Sequence, residues 1–173
     1  MPPPSAHAPT VPGALVRVWD VGILLQGDSG SGKSELALGL LDRGHQLVAD
    51  DAVELAHEPD GLLIGRCPQA LRGLLEVRGL GLVRVAQLYG AAALADQAAI
   101  SLVILLERPA GEDWRRWPRL EGLWDETTLL GVSRPRLRFP VAPGRPLPLL
   151  LETTVHYWLH GHREYHRGVQ PDA

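Results

Sequence analysis

Cysteine is all but missing from this 173-residue chain: Cys67 stands alone. No internal disulfide can form, and a reducing compartment, the cytoplasm, is expected. Lysine, methionine and phenylalanine also occur once each. No apolar run is long enough to span a bilayer as a helix, so no membrane partner is expected. A positive excess is lacking too, with a formal net charge of −3. That leaves no electrostatic reason to expect nucleic acid as a partner. The proline-rich start has neither the basic cluster nor the apolar stretch of a signal peptide. Residues 1–12 read as a flexible lead, and residues 13–173 as a single domain.

The scarcity of lysine is informative. The basic residues are sixteen arginines and Lys33. That lysine falls within Gly27-Asp28-Ser29-Gly30-Ser31-Gly32-Lys33-Ser34, a P-loop pattern. Small residues let successive backbone N–H groups point at phosphate oxygens, and the following helix adds its N-terminal partial charge. A compact ammonium can bridge the β- and γ-phosphates of a nucleotide, which a planar guanidinium does not replace. The Ser34 hydroxyl can ligate Mg²⁺.

The surroundings suit this loop. Residues 14–19 and 21–26 read as strands, the second running into the loop, and residues 34–43 as a helix stopped by Gly44. Further strands are expected over 46–49, 53–57, 62–65, 74–77, 82–85, 99–106, 128–132 and 137–141, and a final helix over 149–161. Arg134-Pro135 is expected to separate the last two strands. Residues 111–119 read as a surface excursion. The fold class is α/β, with more strand and hairpin than a simple doubly wound sheet.

Asp50 and Asp51 end the strand after the loop helix. At the C-terminal end of a parallel strand they would sit over the phosphate crevice. One would hold metal while the other takes a hydroxyl proton. Alone, the pair reads equally well as the start of a turn. Alternation puts Glu76 and Arg78 on one face, which by itself reads as a solvated ion pair.

Several separated motifs then resemble one family. Residues 22–34, Arg43-Gly44-His45, residues 47–51, the stretch from Leu75 through Glu76-Val77-Arg78-Gly79 to Val83, Leu88-Tyr89-Gly90 and residues 140–145 together look like the catalytic domain of HPr kinase/phosphorylase. The resemblance implies a fold similar to phosphoenolpyruvate carboxykinase around the nucleotide, with ATP and Mg²⁺ bound. It implies transfer to a serine of HPr, a phosphocarrier protein, and a reverse reaction that releases pyrophosphate. It also implies a homo-oligomer, typically a hexamer. Carried over, residues 27–34 bind ATP, Ser34, Asp50 and Glu76 hold metal, and Asp51 accepts the proton with Asp50 beside it. Arg119 matches the catalytic arginine, and Arg145 ends the loop linked to dephosphorylation. Pro12 stands where the family usually has a histidine, and the family's N-terminal domain is expected to be lacking. These departures keep open a kinase for another protein or small molecule; a third reading is a nucleotide sensor without turnover, which would use Lys33 and Ser34 but not need Asp51.

Other features carry less. His156 and His160 have i, i+4 spacing, with His162 and His166 crowding the same tail, and read as solvated rather than metal-binding. Trp114, Trp117, Trp124 and Trp158 read mostly as packing residues. Cys67 reads as a small buried apolar residue.

Overall fold

β-Branched and leucine-rich segments alternate with turns through the first third of the chain, so strands come before any helix. The computed structural model describes residues 8–111 and 113–160. β1 (Thr10–Pro12), β2 (Ala14–Val18) and β3 (Val21–Gln26) follow one another. Trp19 and Asp20, at φ 47° and 72°, close the β2–β3 hairpin, as a two-residue primed turn requires. β3 enters the glycine-rich loop, and α1 (Lys33–Asp42) leaves it, burying Leu36, Ala37, Leu40 and Leu41. Gly44, at φ 89°, ends that helix, donating its N–H to the Leu41 carbonyl at 3.0 Å.

β4 (Gln46–Ala49), β5 (Ala52–His57) and β6 (Leu63–Arg66) come next, β5 and β6 joined over Pro59-Asp60-Gly61. β7 (Leu74–Val77) and β8 (Gly81–Arg84) form a separate two-stranded ribbon, followed by the short helix α2 (Val85–Tyr89). The long apolar strand β9 (Gln97–Glu107), the hairpin of β10 (Leu123–Leu129) and β11 (Val132–Pro140), and α3 (Leu147–Leu159) complete the described elements.

β9 is the hub of the large sheet. Its first residues pair antiparallel with β6, and the rest pair parallel with β3 on one edge and β11 on the other. The remaining order runs β1-β5-β6-β9-β3-β2-β4. Alternation along the strands divides the core in two. Val16, Ile23, Leu25, Leu102 and Ile104 pack with Leu36 and Leu40 of α1 and Leu151 and Val155 of α3. Leu15, Leu24 and Val103 face the other way, onto Val53, Leu55 and Leu63, where strands of the sheet cover its own second face. The α/β expectation therefore holds, with helices on one face and curled sheet on the other.

Several sequence expectations change. Residues 10–12, placed in the lead, form β1, paired with β5; residues 1–7 lie outside the described set, as do Gly161, His162, His166 and the Trp114 side chain. The strand ending at Asp50 is not in a parallel ladder: β4 pairs antiparallel with β2, which pairs antiparallel with β3. Two reversals restore the direction, so β4 ends over the same sheet edge as β3 all the same. The last hairpin turns at Leu130-Gly131, and Arg134-Pro135 lies inside β11. Pro135 faces Glu126 of β10 without breaking the strand; proline is tolerated where its missing donor costs no ladder bond. Val85, expected to end a strand, starts α2, and Cys67 is half-buried rather than buried. No helix among the described residues is long and apolar enough to cross a membrane.

Candidate active site

The ends of β3, β4 and β9 deliver three loops to one edge of the sheet. The first is the glycine-rich loop. Gly27 has φ 144°, and a Cβ there would stand 2.6 Å from both the Leu106 carbonyl oxygen and Ser31 Oγ. Only glycine lets the chain leave β3 so close to β9. The loop closes on itself through the Ser31 N–H, which donates to the Asp28 carbonyl at 2.9 Å. Lys33 opens α1 and folds back along the loop, its Nζ donating to the carbonyls of Gly27 (2.7 Å) and Asp28 (3.0 Å). The loop borders a cleft of about 640 Å³, lined also by Pro12, Ser34, Asp50, Asp51, Glu76, Arg78 and Arg108.

The two aspartates differ sharply. Asp50 is buried, with Oδ1 accepting from Ser34 Oγ at 3.4 Å and Oδ2 from the Glu76 backbone N–H at 3.0 Å. Burial pushes its carboxyl pKa up, and the Asp51 charge adds to this. The donors from Glu76, Asp51 and Ser34 act in the opposite direction. Asp51 is exposed to the cleft at φ 69°. The Ala52 N–H donates across it to the Asp50 carbonyl at 2.8 Å, and the Asp51 carbonyl accepts from the Gly13 N–H at 3.1 Å. This is a γ-type turn, uncommon and strained. It aims adjacent side chains differently, one into the protein and one into the cleft.

Ser34 Oγ and the Asp50 carboxylate thus meet as hard oxygen donors, and Glu76, tied to Asp50 through its backbone N–H, lines the same cleft. Among the described residues no group of three or more His, Cys, Asp or Glu side chains is placed to hold a metal ion by itself. A partial oxygen set fits Mg²⁺, which keeps waters and phosphate oxygens in its shell rather than using an all-protein cage.

The structure brings together residues 27–30 and 32–34, Asp50, Asp51 and Glu76 around the cleft, with Ser31 buried beneath the loop. It does not bring Arg119 or Arg145 there: Arg119 is exposed elsewhere, and Arg145 lies half-buried before α3 with its Nε lacking a hydrogen-bond partner. The expected Glu76–Arg78 ion pair does not form. The Arg78 guanidinium instead lies 3.8 Å from where a Cβ on Gly30 would stand. Sequence reasoning missed Arg108. Its signal was position, as the first residue beyond the buried run that ends at Glu107 in β9. His156 and His160 stack at 6.1 Å away from the cleft, with His156 against Trp19. Trp124 stacks on Trp158 and packs against the core, and Arg138 covers Trp117.

Comparison with known proteins agrees with this geometry. The family model described as HPr Serine kinase C-terminal domain matches residues 5–170. An HPr kinase/phosphorylase of Geobacillus thermodenitrificans is 46% identical over 153 residues, covering 87% of this chain and 49% of the relative. One from Treponema pallidum is 44% identical over 157 residues, with coverage of 87% and 48%. The chain spans about half the length of these curated relatives. A solved structure, the Hpr(Ser) kinase/phosphatase from Coxiella burnetii, superposes with a TM-score of 0.81 at 36% identity, covering 91% of this chain and 94% of that one. With a family match over nearly its whole length and the same fold in a solved relative, the chain belongs to the HPr serine kinase C-terminal domain family.

Proposed function

We propose that this chain is the catalytic domain of an ATP-dependent kinase that phosphorylates a serine of the phosphocarrier HPr. The observation that carries the reading is the convergence of the glycine-rich loop, Asp51, the Ser34–Asp50 contact and Glu76 on one cleft. The loop amides and the N-terminus of α1 bind the ATP phosphates. Lys33 exchanges its contacts with the loop carbonyls for phosphate oxygens and offsets the charge on the transferred group. Asp51, exposed on the cleft floor, takes the proton of the attacking serine hydroxyl. Asp50, Ser34 and Glu76 would hold Mg²⁺, which when bound neutralises phosphate charge and orients the terminal phosphoryl group. The roles that the family resemblance implies for Arg119 and Arg145 stay proposals, although neither residue lines the cleft.

The reverse reaction follows from the same groups. Inorganic phosphate attacks the phosphoserine phosphorus, the P–O(serine) bond breaks, and pyrophosphate forms while the serine oxygen takes a proton. Pro12, on the cleft rim, has no proton to give, so that proton comes from Asp51. We also assign the domain to a cytoplasmic homo-oligomer, a hexamer by family resemblance, which sedimentation would test.

The test of function is direct. Protein, HPr, radiolabelled ATP and Mg²⁺ are mixed with and without chelator. Label is expected on an HPr serine, lost on chelation. ATP binding without labelled HPr would refute the assignment.

A further inference from the structure

The β7–β8 ribbon carries more than Glu76 to the cleft. Glu76 and Leu82 stand opposite each other in its register. Opposed residues in an antiparallel pair share a face, with Cβ atoms about 4.5–5.5 Å apart. Leu75 and Val77 point into the core, so Glu76, Leu82 and Arg84 look outward. Leu82 is 68% exposed, and Leu80, at the ribbon tip, 70%. Arg78 and Arg84 flank them, both exposed and without an ion-pair partner among the described residues.

A lone exposed leucine needs no explanation. Two beside a cleft carboxylate, on a ribbon outside the main sheet, are a different matter. Nucleotide and metal are served by the polar loop and oxygen donors and have no use for leucine. Asp51, Glu76 and Arg78 are all exposed and line the same cleft, so a large acceptor can approach it. Its hydroxyl would reach Asp51 while its neighbouring surface rests on the ribbon.

We propose that Leu80 and Leu82, flanked by Arg78 and Arg84, form the docking surface for a protein acceptor. The inference rests on the kinase reading above. The occupant presents an apolar side chain beside its reacting serine, with carboxylates around it to meet the two arginines. Apolar contact of this kind supplies affinity, and the rim charges supply orientation and on-rate. A small hydrophilic acceptor would gain nothing from this ribbon, so the surface selects for a folded protein.

The experiment compares wild type with a Leu80→Ser/Leu82→Ser double variant, Arg84→Glu, and an exposed control outside the ribbon and the cleft lining, Leu120→Ser. All four positions are exposed, so folding is preserved, and ATP binding by calorimetry verifies it. Transfer to purified HPr is measured with HPr binding and sedimentation in parallel. The double variant is expected to raise the KM for HPr ~10-fold or more, as loss of a central apolar contact does. Arg84→Glu is expected to raise it ~3-fold or more at low salt, an effect that fades at high salt. Nucleotide affinity and the control stay at wild-type values. An unaltered KM for HPr in the double variant overturns the docking surface alone. A double variant that sediments as a smaller species than wild type overturns it in favour of a second copy as occupant. A wild type that binds ATP yet neither labels nor binds HPr refutes the kinase reading itself and removes this occupant with it.

Discussion

Asp50 and Glu152 are two carboxylates hidden to the same degree, 8% and 9% exposed, and they behave in opposite ways. Asp50 lies at the cleft among neutral donors and a second aspartate, and burial raises its pKa. Glu152, in the first half of α3, accepts from the Arg43 guanidinium and contacts the buried His45 ring at 2.7 Å. Arg43 foremost, with His45 adding, pulls its pKa from 4.5 to about 2 against the effect of burial. The difference lies in the sign of the partner. A buried carboxylate with its own cation is a structural clamp, here tying the end of α1 and the start of β4 to α3. A buried carboxylate without one keeps the cost of burial, which in the function proposed above a bound Mg²⁺ would relieve.

The comparison breaks most visibly in activity. Asp51→Asn is expected to cut HPr phosphorylation ~10²–10⁴-fold while ATP affinity, read by calorimetry, stays at the wild-type value. Asparagine tolerates positive φ, so the turn survives. Retained transfer would remove Asp51 from its role. Lys33→Ala is expected to cost ~10²–10³-fold in kcat, and a single-turnover assay at saturating ATP separates this from weaker binding. Equal activity would show that the loop amides suffice.

Stability tests the clamp. Glu152→Gln is expected to lower stability by about 1–3 kcal/mol, read by thermal unfolding at pH 7, with transfer to HPr retained. A depressed carboxyl pKa contributes stability above the ordinary value and loses it as the folded group protonates. Wild-type Tm should therefore fall as pH drops from 4.5 towards 2, more steeply than that of the glutamine variant. Parallel curves would show that the clamp is not ionic.

Asp50→Asn should act in the opposite direction at neutral pH. A raised carboxyl pKa means the ionised form opposes folding, so the neutral isostere is expected to increase Tm slightly while transfer is lost. A lower Tm would mean that the hydrogen bonds outweigh the burial of charge. The smallest effect is expected at Arg136, which pairs with Asp125 through two 2.7 Å bonds across the β10–β11 hairpin. Arg136→Ala should cost about 1 kcal/mol or less, because exposed ion pairs are weak; denaturant titration checks it.

Much of the cleft was legible from local pattern. Residues 27–34 announce themselves because phosphate binding by backbone requires consecutive small residues and one lysine. The apolar run of β9 and the hairpin over Pro59-Asp60-Gly61 follow from composition and turn chemistry. The last hairpin was misplaced because Arg134-Pro135 looks like a break, whereas Leu130-Gly131, with no strong turn dipeptide, makes the turn. Helix α2 was missed because five residues give too little periodicity to read.

By itself, the order of residues determined the phosphate loop, the strand before it, the helix after it and the acidic pair, since each depends on contacts within a few neighbours. Tertiary structure alone decided which of Asp50 and Asp51 is buried, that Arg108 joins the cleft while Arg119 and Arg145 stay away, and that Glu152 pairs with Arg43 and His45. Those outcomes depend on strand pairing between residues far apart in the chain. Burial and the sign of a neighbouring charge exist only once such pairings have formed.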